Sequence, residues 1–183
     1  MDGNEIKNLD GNFSAEDAER IGSWHFCENY EGEDVDERLD EALSAVSGGE
    51  TIILEEGIYE KERTGDDAIG GRVRVVGVSQ SMERSGASTL GDDWEFETNV
   101  MVSNLYGWDG SSTNSILFNS RSNGYNITSM NIDIESDEVV LSMLNNCTIS
   151  IGEGYENGVI GARSRSSVSG GSGYQKVMLE DVE

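Results

Sequence analysis

The chain has 183 residues, which is long enough for one domain with a substantial apolar core. Its 36 acidic and 12 basic residues give a formal net charge of −24 at pH 7, and this charge disfavours nucleic acid as a partner because the phosphate backbone is also anionic. No apolar run approaches the roughly 18 residues that a membrane-spanning helix needs, and no signal-peptide pattern opens the sequence, so neither a membrane span nor secretion through a leader is expected.

Residues 1–33 are interpreted as an amino-terminal arm. Turn-forming Gly, Asn and Asp residues are frequent in its first part, and Ser14 is a candidate cap for a short helix over 14–20. An aromatic cluster of Trp24, Phe26 and Tyr30 follows. Because this cluster is too apolar to remain in water, we expect it to dock on a neighbouring chain.

The two cysteines, Cys27 and Cys147, allow at most one disulfide, and we expect none. The pattern around Cys147 points its side chain inward as a small hydrophobic group. His25 and Cys27 invite a metal-site interpretation, but no second pair of ligands accompanies them. We therefore predict a structural histidine, with no metal and no cofactor.

Residues 34–49 are predicted to form a capping helix. Asp34, followed three residues later by Glu37, fits a capping box with an aspartate as the cap. Gly48-Gly49 supplies the carboxyl-terminal stop, because glycine accepts the left-handed conformation without a steric penalty. Apolar residues recur on one helical face: Val35, Leu39, Leu43 and Val46.

The next stretch favours a buried strand and a tight turn. Residues 51–54 are short, β-branched and apolar, and Gly57-Ile58-Tyr59 returns an aromatic residue to the core. The order of helix, Gly-Gly, strand and Gly-x-Tyr resembles the opening of right-handed parallel β-helix proteins, the pectin-lyase-like superfamily. Gly57 to Glu60 also resembles the Gly-x-Tyr-x-Glu stretch of pectin methylesterases, which lies in their scaffold and outside their catalytic residues.

This resemblance implies an all-β fold. We expect a short right-handed parallel β-helix, a solenoid, in which the helix covers the amino-terminal end. Residues 50–183 would form the solenoid and its carboxyl-terminal tail. An antiparallel sandwich of hairpins is the alternative, and it is weakened by the scarcity of two-residue Asn-Gly turns.

Two stretches repeat seventeen residues apart. Ser129 aligns with Asn146, and Asn131 aligns with Thr148. The apolar members of the first stretch are Ile127, Met130, Ile132 and Ile134, and they align with Leu144, Cys147, Ile149 and Ile151. A solenoid explains such a repeat because each turn buries its inward side chains against its neighbours.

The repeat predicts both the core and the corners of the solenoid. The core is predicted to include Ile53, Val75, Met101, Ile132, Ile149 and Ile160. Asparagine suits the corners, where stacked side-chain amides can form ladders, and the candidates are Asn104, Asn126, Asn145 and Asn146.

Two polar excursions, 79–96 and 105–114, interrupt the repeat and carry aromatic residues. Loops of this kind hold many binding contacts. Trp94 and Trp108 could instead fold back over the side of the solenoid as cover. The candidate partner or glycan contacts are Trp24, Tyr30, Trp94, Tyr106 and Trp108.

No catalytic constellation is predicted. Gly91-Asp92-Asp93 resembles the GDD of polygalacturonases, where paired carboxylates act as acid and base, but the later Asn-Thr-Asp, Gly-His-Gly and Arg-Ile-Lys stretches of that family are missing. A calcium-dependent lyase would need clustered acids. The acidic neighbours in this chain are interpreted as a solvated face: Asp133, Glu135, Asp137 and Glu138.

The acidic composition contains only three lysines: Lys7, Lys61 and Lys176. It resembles that of haloarchaeal and haloarchaeal-virus proteins, in which concentrated salt screens the self-repulsion. An acidic protein of a mesophile is the alternative. The length allows roughly five or six turns about 4.8 Å apart, which is short for a polysaccharide groove and resembles the β-helical spikes and decorations of viral particles.

Our hypothesis is a non-enzymatic structural protein at the virion surface of a virus that infects halophilic archaea, as a capsid decoration, turret, spike or tail component. We expect a homo-oligomer, with a trimer favoured, that contacts other particle or surface proteins, and a glycan is a candidate ligand. The alternatives are a β-helix adhesion or scaffolding module at the cell surface or in the extracellular medium, and a carbohydrate-active enzyme of the polysaccharide lyase or hydrolase type.

The charge generates a first prediction. The Debye length falls from about 10 Å at 0.1 M salt to about 3 Å at 1 M, so salt should stabilise the fold by screening the net charge of −24. We expect folding to be lost below roughly 0.5–1 M NaCl. Circular dichroism melts between about 0.1 M and about 3 M NaCl test this, and an unchanged melting temperature across the series would remove the halophile interpretation.

Overall fold

The computed structural model describes residues 24–78, 86–97, 99–107, 115–136 and 138–153, and the backbone of 159–163, 167–170 and 176–180. One α-helix, α1, spans Val35–Ala45, and short 3-10 turns span Cys27–Asn29 and Gly65–Asp67. The first strands are β1 (Trp24–Phe26), β2 (Thr51–Ile53), β3 (Gly57–Tyr59), β4 (Arg74–Val76), β5 (Ser88–Leu90), β6 (Trp94–Phe96), β7 (Met101–Gly107) and β8 (Ser115–Phe118). The later strands are β9 (Ser122–Thr128), β10 (Asn131–Ile134), β11 (Val139–Asn145), β12 (Thr148–Ile151), β13 (Val159–Arg163), β14 (Ser167–Gly170) and β15 (Lys176–Glu180).

The described strands form two sheets in which every strand pair is parallel. The long sheet has the order β1-β2-β4-β7-β9-β11-β13-β15, with β3 and β5 joined to it through the end of β7. The second sheet has the order β14-β12-β10-β8-β6. Apart from the edge strands, each strand in these two orders therefore pairs with one strand from earlier in the chain and one from later in the chain. The prediction of an all-β fold with parallel strands is confirmed, and the antiparallel sandwich is wrong for this part of the chain.

The seventeen-residue repeat is confirmed as a structural register. Asn131 pairs with Thr148, and Ile132 pairs with Ile149 in the second sheet. The aligned pair Ser129 and Asn146 also stacks, because the Asn146 amide donates a hydrogen bond of 3.1 Å to the Ser129 hydroxyl. Earlier turns are longer, as the pairing of β4 with β7 shows by joining residues 27 positions apart, Arg74 and Met101.

The core lies between the sheets. In two strands, the residue that points into the core is one position away from the predicted residue. Val75, Ile132 and Ile149 are buried as predicted. Met101, however, is 43% exposed and Ile53 is only partly buried, which corrects the predicted core. Successive side chains of a strand point to opposite faces, so a shift of one residue exchanges inside and outside. The residues that point inward there are Ile52 and Val102, while the side chain of Ile160 lies outside those that the structure describes.

The predicted cap of α1 is confirmed. The Asp34 carboxylate accepts a hydrogen bond of 2.9 Å from the Glu37 amide, and the Glu37 carboxylate accepts one of 2.7 Å from the Glu33 amide. The helix ends at Ala45, and the chain then turns through Gly49, whose φ is +100°. Its buried residues, Leu39 and Ala42, belong to the core. Within the described residues, no helix has the length and apolar character needed to cross a bilayer.

Part of the predicted arm belongs to the sheet. β1 pairs with β2, so that Trp24 lies beside Thr51 in the register, and Cys27 is fully buried in the core. β1 therefore forms the amino-terminal edge of the long sheet, the end that α1 was predicted to cover. Within the predicted arm, β1 and Cys27 therefore belong to the fold, while residues 31–33 are exposed. The short helix predicted over 14–20 lies outside the described residues.

Left-handed residues mark the corners at which the strands bend. Asn104, Asn126 and Met143 occupy equivalent positions in β7, β9 and β11, and their φ angles are 57°, 55° and 54°. The Asn126 amide donates a hydrogen bond of 2.8 Å to the Asn104 side-chain oxygen, so the predicted amide ladder exists at this corner. Asparagine tolerates this conformation better than other residues with a side chain, and Met143 ends the ladder.

Gly77 follows β4 at a close approach between neighbouring turns and generates a second prediction. A Cβ at this position would overlap the backbone carbonyl oxygen of Asn104 and lie 3.1 Å from the Ser88 Cβ. We expect Gly77→Ala to destabilise the fold by about 1–3 kcal/mol, because a backbone atom cannot move aside.

Gly70→Ala is the matched control, since its Cβ would lie 3.5 Å from the Glu97 Cβ, an ordinary contact. Urea unfolding of both variants in molar salt measures the effect. Equal stability of the two variants would contradict this account of the corner.

Candidate functional site

A cleft of about 490 Å³ lies beside α1. One wall is the second half of α1, and the other is the segment 61–73 that leads to β4. We call it the helix cleft. Residues that line it include Asp40, Leu43, Lys61, Arg63 and Ile69.

Backbone pairing positions Arg63 in the wall of the helix cleft. Its amide donates to the Asp93 carbonyl at 2.9 Å, and its carbonyl accepts from the Glu95 amide at 2.8 Å. These bonds form a parallel bridge to Trp94 in β6. Tyr59 and Arg63 are buried and Lys61 between them is partly exposed, so burial does not follow a two-residue period in this segment.

The Arg63 side chain is only 2% exposed, and its guanidinium is held by carboxylates of α1. Nη1 donates to Asp40 Oδ1 at 2.6 Å, and Nη2 donates to the Asp36 carbonyl at 3.2 Å. The guanidinium carbon lies 5.5 Å from the centre of the Trp94 ring, within range of a cation–π interaction. Arg63 thus joins α1 to β6 of the second sheet.

The charges in this network balance each other. Lys61 Nζ donates to Asp40 Oδ2 at 2.8 Å, and Asp36 Oδ2 accepts from the Glu60 and Lys61 amides at 2.7 and 3.1 Å. Partial burial acts to raise the pKa of Asp40, but the hydrogen bonds from Lys61 and Arg63 outweigh it and lower that pKa. The ionised groups are therefore paired with one another. Such groups are better suited to a structural role than to proton transfer.

Two of the predicted contact residues are buried, so that prediction is wrong for them. Trp94 is fully buried, since β6 is a strand in which it and Phe96 point inward, and it packs edge-on against Tyr59 at 5.7 Å. The alternative prediction, that Trp94 covers the outside of the solenoid, is therefore also wrong. Tyr106 is 4% exposed because β7 continues to Gly107 and carries it into the core. Trp108 lies outside the described residues.

The other two predicted contact residues lie near the amino-terminal edge. Trp24 is 51% exposed on β1. Tyr30 is partly buried against the core, and its hydroxyl hydrogen-bonds with His25 Nδ1. His25 Nε2 lies 3.1 Å from a Glu50 carboxylate oxygen, so the histidine has structural partners as predicted. The five predicted residues therefore do not form one surface.

The acidic motifs have structural roles in the described residues. Asp93 accepts a hydrogen bond of 2.6 Å from the Ser115 amide, and Asp92 accepts one of 2.8 Å from the Asp93 amide. Both carboxylates thus stabilise the backbone around β6 and β8. Glu138 lies 3.8 Å from Arg121 with both side chains well exposed, while Asp137 is outside the described residues. No group of three or more potential metal-ligating side chains occurs in the described ranges.

Both cysteines are free and buried. Burial raises the pKa of the Cys27 thiol to about 12 and that of the Cys147 thiol to about 11. Because the thiolate is the reactive species, neither side chain is suited to nucleophilic chemistry near neutral pH. The inward orientation predicted for Cys147 is confirmed.

The burial of Arg63 is not predicted from the sequence, because this residue follows a run of charged residues typical of a surface segment. A two-residue alternation gives no signal here, because it places Lys61 and Arg63 on the same side of the chain although only Arg63 is buried. The exposed apolar side chains of the long sheet are also not predicted, since Met101 was assigned to the core.

The helix cleft generates a third prediction. We expect Arg63→Met to lower the free energy of unfolding by about 3 kcal/mol, because it leaves Asp36 without its cation and Asp40 with Lys61 alone at a partly buried site. Lys61→Met is the matched control, since it removes the other partner of Asp40 but from a pair that is 39% and 41% exposed, and it should cost about 0–1 kcal/mol.

Urea unfolding in molar salt measures the free energy of unfolding of these variants. Because urea is uncharged, it does not change the ionic strength. The lowered pKa of Asp40 means that its contribution is complete above its ordinary value of 3.8 and is lost as the pH falls through the folded value. The difference between Arg63→Met and the wild type should therefore shrink in acid. Equal losses for both variants at neutral pH would contradict the assigned role of Arg63.

Comparisons of the chain with protein-family models, with curated proteins and with solved structures found no match.

Proposed function

We propose that this chain is a non-enzymatic structural protein built on a short right-handed parallel β-helix, and that it is a surface component of a virus that infects halophilic archaea. The observation that carries the structural role is the unbroken stacking of eight strands in one parallel sheet. Such a stack buries an apolar interior, because each turn packs its inward side chains against its neighbours. It forms a stiff element whose outer surface is free for assembly.

The state of the ionisable groups supports a structural role. Arg63, Asp36 and Asp40 are tied to one another across the helix cleft, and Asp93 is tied to the backbone. These are the groups that an acid–base mechanism would draw on. In this arrangement they hold α1 and neighbouring strands in place.

The halophilic source rests on composition. A net charge of −24 with three lysines is costly in dilute buffer and tolerable in concentrated salt. The assignment to a virion surface is supported by resemblance, because a short stack resembles the spikes and decorations of viral particles more than the long grooves of polysaccharide-cleaving enzymes.

Assembly into a homo-oligomer is part of the proposal. β1 and β15 are the outermost described strands of the long sheet, and outermost strands present unpaired backbone groups that proteins usually cover. Closed symmetry is the usual arrangement of such assemblies. A trimer is favoured by resemblance to viral β-helices.

The fourth prediction concerns location. An antibody raised against the purified chain should label intact particles that are banded from cultures of the source at high salt, and the chain should comigrate with the particle proteins. Signal only in cell envelopes would favour the adhesion or scaffolding alternative. Signal only in the soluble fraction of uninfected cells would contradict the virion assignment.

An assay for polysaccharide cleavage tests the enzyme alternative. The protein is incubated in molar salt with acidic polysaccharides, and new reducing ends are measured. We expect no activity above that of buffer. Cleavage that Asp92→Ala abolishes, while the control Asp66→Ala at another exposed aspartate does not, would overturn the structural proposal in favour of an enzyme.

A further inference from the structure

The outer side of the long sheet has an unusual composition. Over β1, β2, β4, β7, β9 and β11, the first and third residues of each paired triplet flank an inward-pointing middle residue, such as Val75, Val102 or Leu141. We call these twelve flanking residues the outer face. Its first column is Trp24, Thr51, Arg74, Met101, Asn123 and Val140, and its third column is Phe26, Ile53, Val76, Ser103, Tyr125 and Ser142.

None of the twelve residues is acidic, although about one residue in five of the whole chain is Asp or Glu. The single charged member is Arg74. The outward positions of the second sheet, by contrast, include Glu95 and Asp133. Carboxylates are therefore absent from these twelve positions of a strongly acidic chain.

The outer face also collects the exposed apolar side chains. All four large apolar residues that are well exposed in the described part of the chain lie on it. They are Trp24, Met101, Tyr125 and Val140, with exposed fractions of 51%, 43%, 48% and 45%. Met101, Tyr125 and Val140 lie on three neighbouring strands, whereas Thr51 and Arg74 separate them from Trp24. Exposed apolar residues that cluster on one surface mark interaction sites in soluble proteins.

The net charge of the chain indicates which partner binds the outer face. Two copies of a chain with a net charge of −24 repel each other wherever acidic surfaces meet. The outer face is a surface on which two copies can meet without opposing carboxylates. A foreign cationic partner would instead be expected to bind an acidic surface.

We propose that the outer face of the long sheet is the contact between copies of this chain. This deepens, and rests on, the proposed homo-oligomer by naming the surface that forms it. Six strands about 4.8 Å apart and three residues about 3.3 Å long give a face of roughly 24 by 10 Å. That is well below the roughly 800 Å² per partner of a standard interface, so association is concentration-dependent and strengthened by salt.

The fifth prediction tests this contact by placing a carboxylate in it. In about 2–3 M NaCl, where charges are strongly screened, Val140→Asp should still raise the dissociation constant about tenfold or more, because a buried unpaired carboxylate is costly. Thr148→Asp is the matched control, since Thr148 is an exposed strand residue on the second sheet and should leave association unchanged. Sedimentation equilibrium measures both variants, and thermal melts verify that they are folded.

Cross-linking provides a second measurement that does not depend on the folding of Val140→Asp. The two natural thiols are buried, so Tyr125→Cys presents one exposed thiol on the outer face and Thr148→Cys presents one elsewhere. A short bismaleimide should join copies of Tyr125→Cys several times more efficiently than copies of Thr148→Cys.

The outcomes separate this inference from the proposal on which it rests. A wild type that associates, together with Val140→Asp and Tyr125→Cys behaving as stated, supports both. An associating wild type whose two carboxylate variants behave alike, or whose two cysteine variants cross-link alike, overturns the outer face and leaves the homo-oligomer standing. A wild type that is monomeric in molar salt overturns both and assigns the face to another occupant, such as a glycan.

Discussion

The structure depends on one constraint, which is that a strand in a parallel ladder finds its partner only after a complete turn of the chain. The residues between two paired strands must return the backbone to a position about 4.8 Å from the first strand. The seventeen-residue register between β10 and β12 is a compact solution, and the 27-residue register between β4 and β7 is an expanded one. Left-handed corners such as Asn104 and Asn126 recur because the same bend must be repeated at the same place in each turn.

This constraint explains which features could be predicted from the sequence. The register of the later turns was found because Ile132 and Ile149 recur at equal spacing among polar neighbours. The cap of α1 was found because Asp34 acts through bonds to adjacent residues. Both signals are contained in the pattern itself.

The features that were missed depend on contacts distant in the sequence. Ile52-Ile53 and Met101-Val102 are apolar on both sides of the strand, so the alternation that would define inside and outside is absent, and only the sheet decides. Trp94 was assigned to a loop because its neighbours are acidic, although the core and the Arg63 guanidinium surround it. An ion pair that joins α1 to residue 63 has no local signature.

The two cysteines have a consequence for where such a fold can exist. Cys27 and Cys147 are buried, free and protonated at ordinary pH. The fold therefore requires no oxidant in order to form, and it presents no reactive thiolate to glutathione or to metal ions in the surroundings. A chain with this arrangement can mature in a reducing compartment and keep the same covalent structure after transfer to an oxidising one.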